Sequence, residues 1–452
     1  MRTPPGLRFE RRLTTPAWLP FAVPLGSIVA ALLITGVILA ATGVDPFSVY
    51  RRLFDRGYVG DGALSSMLVT ATPLIFTGLA AAAAFRMRVF NIGAEGQLYV
   101  GAIAASGAGL AVGGSGAGVA IPAMAVAGIA AGVLWAAIPG LLRAYTGTSE
   151  LITSLMLNYL GGLLLTYLIF DSRSYWRDTT SANGRIFPTG KTLADAANWP
   201  TLTTLLAPAI VLVVLALALA ASLGRRAWLA RRAGAPAAQR RRSRLALGAA
   251  LVVVVLCVAL MNVTPAQSVD FPLGFWIGLL AALVVWVLYR DTRFGYEVRV
   301  VGDSPAAARY AGMRTKRKIV AVMCLSGGLA ALGGASQIGD FSHVLDARGL
   351  QQVALGYTGI VVAALARFNP LAVPVVALVL GGLTNAGFSL QGADFPSGMV
   401  GILQGALLLC TLAGEVLGHY RLRGGRSAPS VDASAEAATA EVSAADVVLG
   451  PT

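Results

Sequence analysis

Residues 90–99 read FNIGAEGQLY and place Asn91, Glu95 and Gln97 among long apolar stretches. A carboxylate and two amides at this spacing can hold a helix terminus or form part of a polar path for a solute. Asn91 is a candidate helix cap, and Glu95 would then lie in the first turns, where the helix dipole favours an anion. An ionisable residue near membrane depth must face protein or water. Glu95 is therefore predicted to be either a structural hydrogen-bond acceptor or part of a polar pathway.

Two further amides, Asn158 and Asn385, also interrupt apolar segments. A neutral polyhydroxylated solute would need amide and hydroxyl partners rather than charges, and these residues meet that need. The structural alternative for each is a helix–helix hydrogen bond in the membrane. Both interpretations remain open at this point.

Metal and nucleotide chemistry find little support in the residue pattern. The chain has two histidines, His343 and His419, and no H-E-x-x-H motif. The segment PTGKT (188–192) ends like a phosphate-binding loop, but arginine occupies position 185, where that loop requires glycine. The three cysteines lie in apolar segments without a pairing pattern. We therefore predict no catalytic residue, no metal site and no cofactor in this chain.

The elements that must position these residues are membrane helices. The chain has 452 residues, of which 56% are hydrophobic and 12% charged, against about 25% charged in an average soluble domain. Apolar windows of about 20 residues recur, enough to cross a hydrocarbon core of about 30 Å. The predicted fold class is an all-α, polytopic transmembrane bundle of about 10–12 spans. The spans are placed at 20–42, 62–84, 89–110, 119–142, 149–171, 201–223, 245–264, 272–290, 318–338, 352–369, 371–391 and 398–419.

The net charge of +14 comes mainly from clusters beside the spans, at 2–12, 225–244, 290–318 and 421–426. Basic clusters beside spans mark cytoplasmic loops, and twelve crossings place all four on one side. We expect a multi-pass protein of a bacterial plasma membrane with both termini in the cytoplasm. This distribution points to membrane lipid and away from nucleic acid as a partner.

The predicted domain organisation has three parts. Residues 1–19 form a cytoplasmic segment, 20–420 the transmembrane domain, and 421–452 a disordered cytoplasmic tail without aromatic residues after position 426. The stretch 352–369 carries Arg367 and ends before Pro370, so it either spans or forms a re-entrant or broken helix.

A short helix is predicted within the basic cluster at 291–317. Ser304 is a typical N-cap residue and Pro305 a typical first helical residue. Gly312 follows AAARYA in the position of the C′ glycine that ends a helix. The helix is too short to span, so it lies on the cytoplasmic side. This segment is either a positively charged loop that only sets the membrane topology or a helix that docks into a cytoplasmic partner.

Four segments, in order, resemble one transporter family over most of residues 60–420. They are FNIGAEGQL, ELITSLMLNYL (150–160), TRFGYEVRVVGDSPAAARYAGM (292–313) and GYTGIVVAALARFNP (356–370). Together they resemble the permease subunits of ABC importers for simple sugars and nucleosides, and they look closest to the nucleoside branch. This resemblance implies a fold similar to the vitamin B12-type (type II) importers, with about ten spans. Residues 201–264 would then be an extra two-helix insertion.

The resemblance also implies roles and partners. The translocation path and its signature would involve Asn91, Glu95, Gln97, Asn158 and Asn385. The helix that couples to an ATPase would involve Gly302, Asp303, Ala307, Ala308, Tyr310 and Gly312.

The implied partners are a cytoplasmic ABC ATPase, which binds ATP and Mg²⁺, a second permease that is a different paralogue or an identical copy, and an external substrate-binding lipoprotein. The chain itself would be a transport subunit and no enzyme. The alternative is an ion-coupled secondary transporter without an ATPase, which would have no need for the short helix on the inner face. Which sugar or nucleoside is carried stays open.

Overall fold

The computed structural model describes residues 8–11, 19–181, 184, 186–206, 267–390 and 398–423, and helices dominate this part of the chain. The first six helices are α1 (Leu19–Ala41), α2 (Pro46–Phe54), α3 (Ala63–Phe85), α4 (Ala94–Val112), α5 (Ala117–Leu141) and α6 (Glu150–Thr166). The next are α7 (Leu273–Asp291), α8 (Arg293–Asp303), α9 (Pro305–Tyr310), α10 (Thr315–Ser336), α11 (Ala347–Val353), α12 (Leu355–Leu365), α13 (Val373–Ser389) and α14 (Met399–His419). The strands are β1 (Arg8–Arg11), β2 (Thr201–Leu206), β3 (Gln267–Pro272) and β4 (Tyr420–Arg423).

Six helices of the described part are long and apolar enough to cross a membrane. With their π-helical or 3₁₀ extensions they are Ala63–Phe85, Ala94–Ser115, Ala117–Thr146, Glu150–Asp171, Leu273–Asp291 and Thr315–Ser342. At about 1.5 Å per residue, each comes close to or exceeds the thickness of the hydrocarbon core. The predicted polytopic helical bundle is therefore confirmed.

Helices α3 and α10 form the centre of the bundle because most of their residues are buried. Close crossings depend on small residues. Gly132 of α5 lies directly against Gly327 of α10, and Gly334 lies against the backbone of Leu98 and Ala102 in α4. Small residues allow backbones to approach in lipid, where packing rather than water exclusion holds helices together.

The contacts define two ends of the bundle. At one, called the basic end here, Arg88 pairs with Asp303 at 3.8 Å and Arg143 with Glu150 at 3.2 Å. At the opposite end, the backbone N–H of Leu193 donates to the carbonyl of His343 at 2.9 Å. Helices α3, α5 and α7 end at the basic end, and α4, α6 and α10 begin near it.

Two predicted spans begin differently in the structure. The span predicted at 89–110 starts as a loop, and its helix begins only at Ala94. The span predicted at 201–223 is wrong at its start, because residues 201–206 form β2, paired antiparallel with β3 from Thr201↔Pro272 to Leu206↔Gln267. The three β-branched threonines of TLTTLL suit a strand. The rest of the predicted 201–264 insertion lies outside the described residues.

The stretch predicted at 352–369 is a broken helix. Helices α11 and α12 meet at Ala354, which has a left-handed φ of +51°. Helix α12 has 11 residues, about 16 Å at 1.5 Å per residue, which is too short to span alone. Of the alternatives predicted for this stretch, the broken helix is confirmed.

Among the described residues, those within 29–409 form one compact unit, and those within 1–28 and 410–423 form another. In the second unit, β1 pairs antiparallel with β4, from Arg8↔Arg423 to Arg11↔Tyr420. The predicted disordered tail is therefore wrong at residues 421–423, where backbone pairing with β1 orders the chain. Residues 424–452 lie outside the described part.

Candidate functional site

Asn91 and Gln97 form a buried amide pair at the start of α4. The Asn91 Nδ2 donates to Gln97 Oε1 at 3.0 Å and to Ser326 Oγ at 2.8 Å, while Gln97 Nε2 donates to Asn91 Oδ1 at 3.1 Å. Asn91 Oδ1 also accepts the Gly93 N–H at 2.9 Å. The residue before the first turn is Gly93, not Asn91. The predicted Asn91 cap is therefore wrong, and this side chain instead closes the loop that leads into the helix.

Glu95 holds the end of a different helix. Its side chain is almost fully buried, at 2% exposure. Its Oε2 accepts the N–H groups of Gly356 at 2.6 Å and Tyr357 at 3.1 Å, and its Oε1 accepts the hydroxyl of Tyr99 at 2.7 Å. The two backbone donors belong to the first turn of α12 and have no partner within their own helix. Glu95 thus satisfies the terminus that the break at Ala354 creates.

Asn158 of α6 completes this group. Its Oδ1 accepts the Gly96 N–H at 2.8 Å, and its Nδ2 donates to the carbonyl of Ile92 at 2.8 Å and to the Tyr357 hydroxyl at 3.2 Å. The side chain therefore ties α6 to the loop before α4 and to α12 at once.

These groups lie at the depth of the hydrocarbon core. The Thr77 hydroxyl donates to the carbonyl of Leu355 at 3.1 Å, and Thr77 is eight residues from the end of α3. Eight residues of helix span about 12 Å, within a core of about 30 Å. We call Asn91, Glu95, Gln97, Tyr99, Asn158, Ser326 and Tyr357 the mid-bundle cluster.

Four of the five residues predicted for the path lie in the mid-bundle cluster. Asn385 does not: it is half-buried in α13, four residues from the end of that helix, and shares no hydrogen bond with the cluster in the described part of the chain. The other four bond to protein groups, so their place on a translocation path stays a prediction. Sequence reasoning missed Tyr99, Ser326 and Tyr357. The spacing of Tyr99, four residues after Glu95 on a helix, was a usable signal.

The short helix of the basic end has both predicted caps. The Ser304 Oγ accepts the N–H of Ala307 at 3.3 Å, and Pro305 is the first helical residue. At the other end, Gly312 has φ +74°. Its N–H donates to the carbonyl of Arg309, and that of Met313 to Ala308, both at 3.0 Å. This is the Schellman pattern, in which glycine adopts the left-handed conformation.

Helix α9 has one face on the bundle and one in the open. Gly302, just before it, is buried near the backbone of Arg86 and Met87, and Ala308 is buried as well. Their own bundle covers these two residues, so they present no surface to a partner, and their role in a coupling helix stays a prediction. Asp303, Ala307 and Gly312 are exposed, and Tyr310 is 98% exposed.

An ion-pair group joins α8 to α10 beside this helix. The Glu297 carboxylate accepts from Lys318 Nζ at 2.6 Å and from Arg293 Nε at 3.0 Å. The Lys318 hydrogen bond, more than any other contact, lowers the pKa of Glu297 below its usual value. Because the folded-state pKa is lowered, the group stabilises the fold at neutral pH and loses that effect only as pH falls through the lowered value.

Comparisons of the sequence with known proteins find membrane permeases. The family model described as "Branched-chain amino acid transport system / permease component" matches residues 63–412. A glucose ABC transporter permease of Haloferax volcanii is 30% identical over 431 residues, covering 94% of this chain and 97% of that protein. A guanosine ABC transporter permease of Bacillus subtilis is 28% identical, covering 86% and 91%. A nucleoside ABC transporter permease of Lactococcus lactis is 25% identical, covering 85% and 89%.

No solved structure matches the chain. The family model nevertheless covers most of the chain, and the Haloferax protein aligns over nearly all of it. The resemblance drawn from the four sequence segments is confirmed. The chain belongs to the family of ABC importer permeases that includes the simple-sugar and nucleoside permeases, and it is a multi-pass transport subunit.

Proposed function

We propose that this chain forms the membrane path of an ATP-driven importer for a nucleoside or simple sugar. An external binding protein delivers the solute, a second permease completes the path, and a separate cytoplasmic ATPase hydrolyses ATP. The relatives support this solute class, because they are named as permeases for glucose, guanosine and nucleosides. All of these are neutral and polyhydroxylated.

The observation that carries the ATPase partnership is the geometry of α9. The Ser304 side chain caps the start of the helix, and backbone hydrogen bonds around Gly312 close its end. The helix is therefore ordered before it binds a partner. Preorganisation of this kind raises affinity by lowering the entropic cost of association. One face is fixed on the bundle through Ala308, and the other presents Tyr310, a residue type that often dominates interface energy.

The fold is proposed to be similar to that of the vitamin B12-type importers. Helices α1, α3 to α7, α10, the α11–α12 pair, α13 and α14 would together supply the ten crossings expected of that fold. An even number of crossings places both termini on one side, proposed to be the cytoplasm, together with the basic end. The ion-coupled alternative receives less support, because three protein donors already engage Glu95, the carboxylate it would use.

The test is purification of the tagged chain from its native membrane in mild detergent, with partners identified by mass spectrometry, followed by uptake assays with labelled nucleosides and sugars. We expect an ABC ATPase to co-purify and uptake to require ATP. Recovery of the chain alone, with uptake that follows an ion gradient, would contradict the proposal.

Replacing Tyr310 with alanine is expected to lower ATPase recovery at least about tenfold, since an interface hot spot is worth about 2 kcal/mol or more. Accumulation in the membrane should not change, because the side chain is 98% exposed. The matched control is Tyr175→Ala, which removes another exposed tyrosine at the opposite end of the bundle. Equal ATPase recovery from both variants would show that Tyr310 is not in the interface.

A further inference from the structure

The outward faces of the spans differ in polarity. Helix α5 contains no Ser, Thr, Asn, Gln, Tyr or charged residue, and its exposed side chains, such as Leu134 at 71%, are apolar. The exposed central residues of α7, such as Leu280 and Val284, are aliphatic too. These faces suit lipid, since hydrocarbon offers no hydrogen bonds.

The outward side of α6 carries exposed polar side chains where it meets the broken helix. Tyr159 is 70% exposed and Tyr357 is 40% exposed. The Gln351 side chain, which bonds Gly162 and Thr166 farther along α6, is exposed as well. Tyr159 follows Asn158 directly, so it lies at the depth of the mid-bundle cluster. We call Tyr159, Gln351 and Tyr357 the α6–α12 seam.

The seam keeps unused hydrogen-bonding capacity. Gln351 Nε2 donates to the carbonyl of Gly162 at 2.9 Å and to Thr166 Oγ1 at 3.0 Å, while its Oε1 accepts no bond from the described residues. The Tyr357 oxygen accepts from Asn158, which leaves its O–H proton available. The Tyr159 hydroxyl has no partner among the described residues. Polar groups left facing lipid cost free energy, so this face needs a polar occupant.

The break in the backbone between α11 and α12 lies next to the seam. Gln351 lies three residues before Ala354 and Tyr357 three residues after it, so both flank the break between α11 and α12. Broken helices in transporters are found where backbone lines a cavity or a solute site. Gly162 leaves the α6 side recessed: a Cβ there would first meet the Tyr99 ring at 3.6 Å and the Gln351 amide at 3.7 Å.

We propose that the α6–α12 seam contacts the transported solute during passage, and that this solute is a neutral polyhydroxylated ring compound. The two phenol rings would pack against its ring face. The Gln351 oxygen and the tyrosine hydroxyls would bond its hydroxyl groups. Glu95 acts as a positioning residue, because it fixes the backbone N–H of Tyr357 and thereby the start of α12. This inference rests on the proposed function.

Thiol labelling in the assembled transporter tests the proposal. Cys257, Cys324 and Cys410 are first replaced by alanine, and Tyr159→Cys or Gln351→Cys is then introduced. Native membranes are treated with a hydrophilic maleimide, with and without the nucleoside or sugar that the parent chain takes up. The matched control is Leu134→Cys, an equally exposed position on the apolar face of α5.

We expect both seam cysteines to react at least about tenfold faster than Leu134→Cys, because only a hydrated thiol ionises to the reactive thiolate. The transported solute should slow the seam reaction and leave the control unchanged. Seam labelling as slow as the control, in a transporter with normal uptake, would overturn the inference and leave the proposed function intact. Fast labelling that the solute does not slow would also overturn it. If the parent chain took up no sugar or nucleoside, the proposed function would fail first, and the inference would fall with it.

Discussion

Replacing Glu95 with leucine is expected to prevent stable accumulation of the protein in the membrane. Three donors lose their acceptor at once: the N–H groups of Gly356 and Tyr357 and the hydroxyl of Tyr99. Each buried group left unpaired costs about 1–3 kcal/mol. The sum is comparable with the whole stability of a typical protein, about 5–15 kcal/mol.

Glu95→Gln separates the shape of this side chain from its charge. The amide oxygen can still accept from the α12 backbone, and the amide nitrogen can donate to the Tyr99 oxygen, so the fold should survive. Hydrogen bonds to a charged acceptor are about twice as strong as neutral ones, so the thermal midpoint in detergent should fall, and uptake with it. Normal stability and normal uptake in Glu95→Gln would show that the carboxylate is not the anchor of α12.

Two further variants calibrate the measurement by fluorescence-detected gel filtration after heating. Tyr99→Phe removes one donor and leaves the two backbone bonds to Glu95, so we expect a loss smaller than that of Glu95→Leu. Asp291→Leu removes an exposed carboxylate that pairs only with its neighbour Arg290 among the described residues. Such surface pairs are worth about 0–1 kcal/mol, so its accumulation should match the parent chain.

Gly96→Ala is expected to have the second largest effect. A Cβ at Gly96 would lie 2.8 Å from the Asn158 Cα and 2.8 Å from the Leu157 carbonyl oxygen. Both are backbone atoms of α6, so no side-chain rotation relieves the overlap, and α6 must move. That movement would strain the Asn158 bonds to Gly96 and Ile92. Overpacking costs about 1–3 kcal/mol, and each strained hydrogen bond adds about 1 kcal/mol.

The matched control is Gly118→Ala, which makes the same chemical change inside α5. A Cβ at Gly118 meets nothing within 4 Å, and alanine is favoured over glycine in a helix by about 0.5–1 kcal/mol. We expect the control to keep or raise the thermal midpoint and Gly96→Ala to lower both the midpoint and the uptake rate. Identical behaviour of the two variants would contradict the close approach of α6 to α4.

Features set by neighbouring residues could be predicted from the sequence. The caps of α9 are one example, because Ser304, Pro305 and Gly312 act on backbone groups within a few residues. The assignment to membrane proteins follows from apolar windows that are long enough to cross a hydrocarbon core. The family follows from four sequence segments that occur in the expected order. The break in 352–369 was foreseeable as an alternative because the stretch is short and carries Arg367. The strand at 201–206 was not, because its pairing partner lies beyond position 266.

The tertiary structure alone decided what the polar residues do. The sequence suggested that Glu95 serves its own helix, yet its acceptor oxygen binds N–H groups 261 and 262 residues away. Local spacing cannot reveal such a partner, because only helix packing brings α12 against the start of α4. The same holds for Gly302 and Ala308, whose small size would suit a partner surface as well as a packed bundle, and only the fold shows that they are buried. Sequence therefore determined the helices and their caps, while long-range packing determined which buried polar group satisfies which helix end.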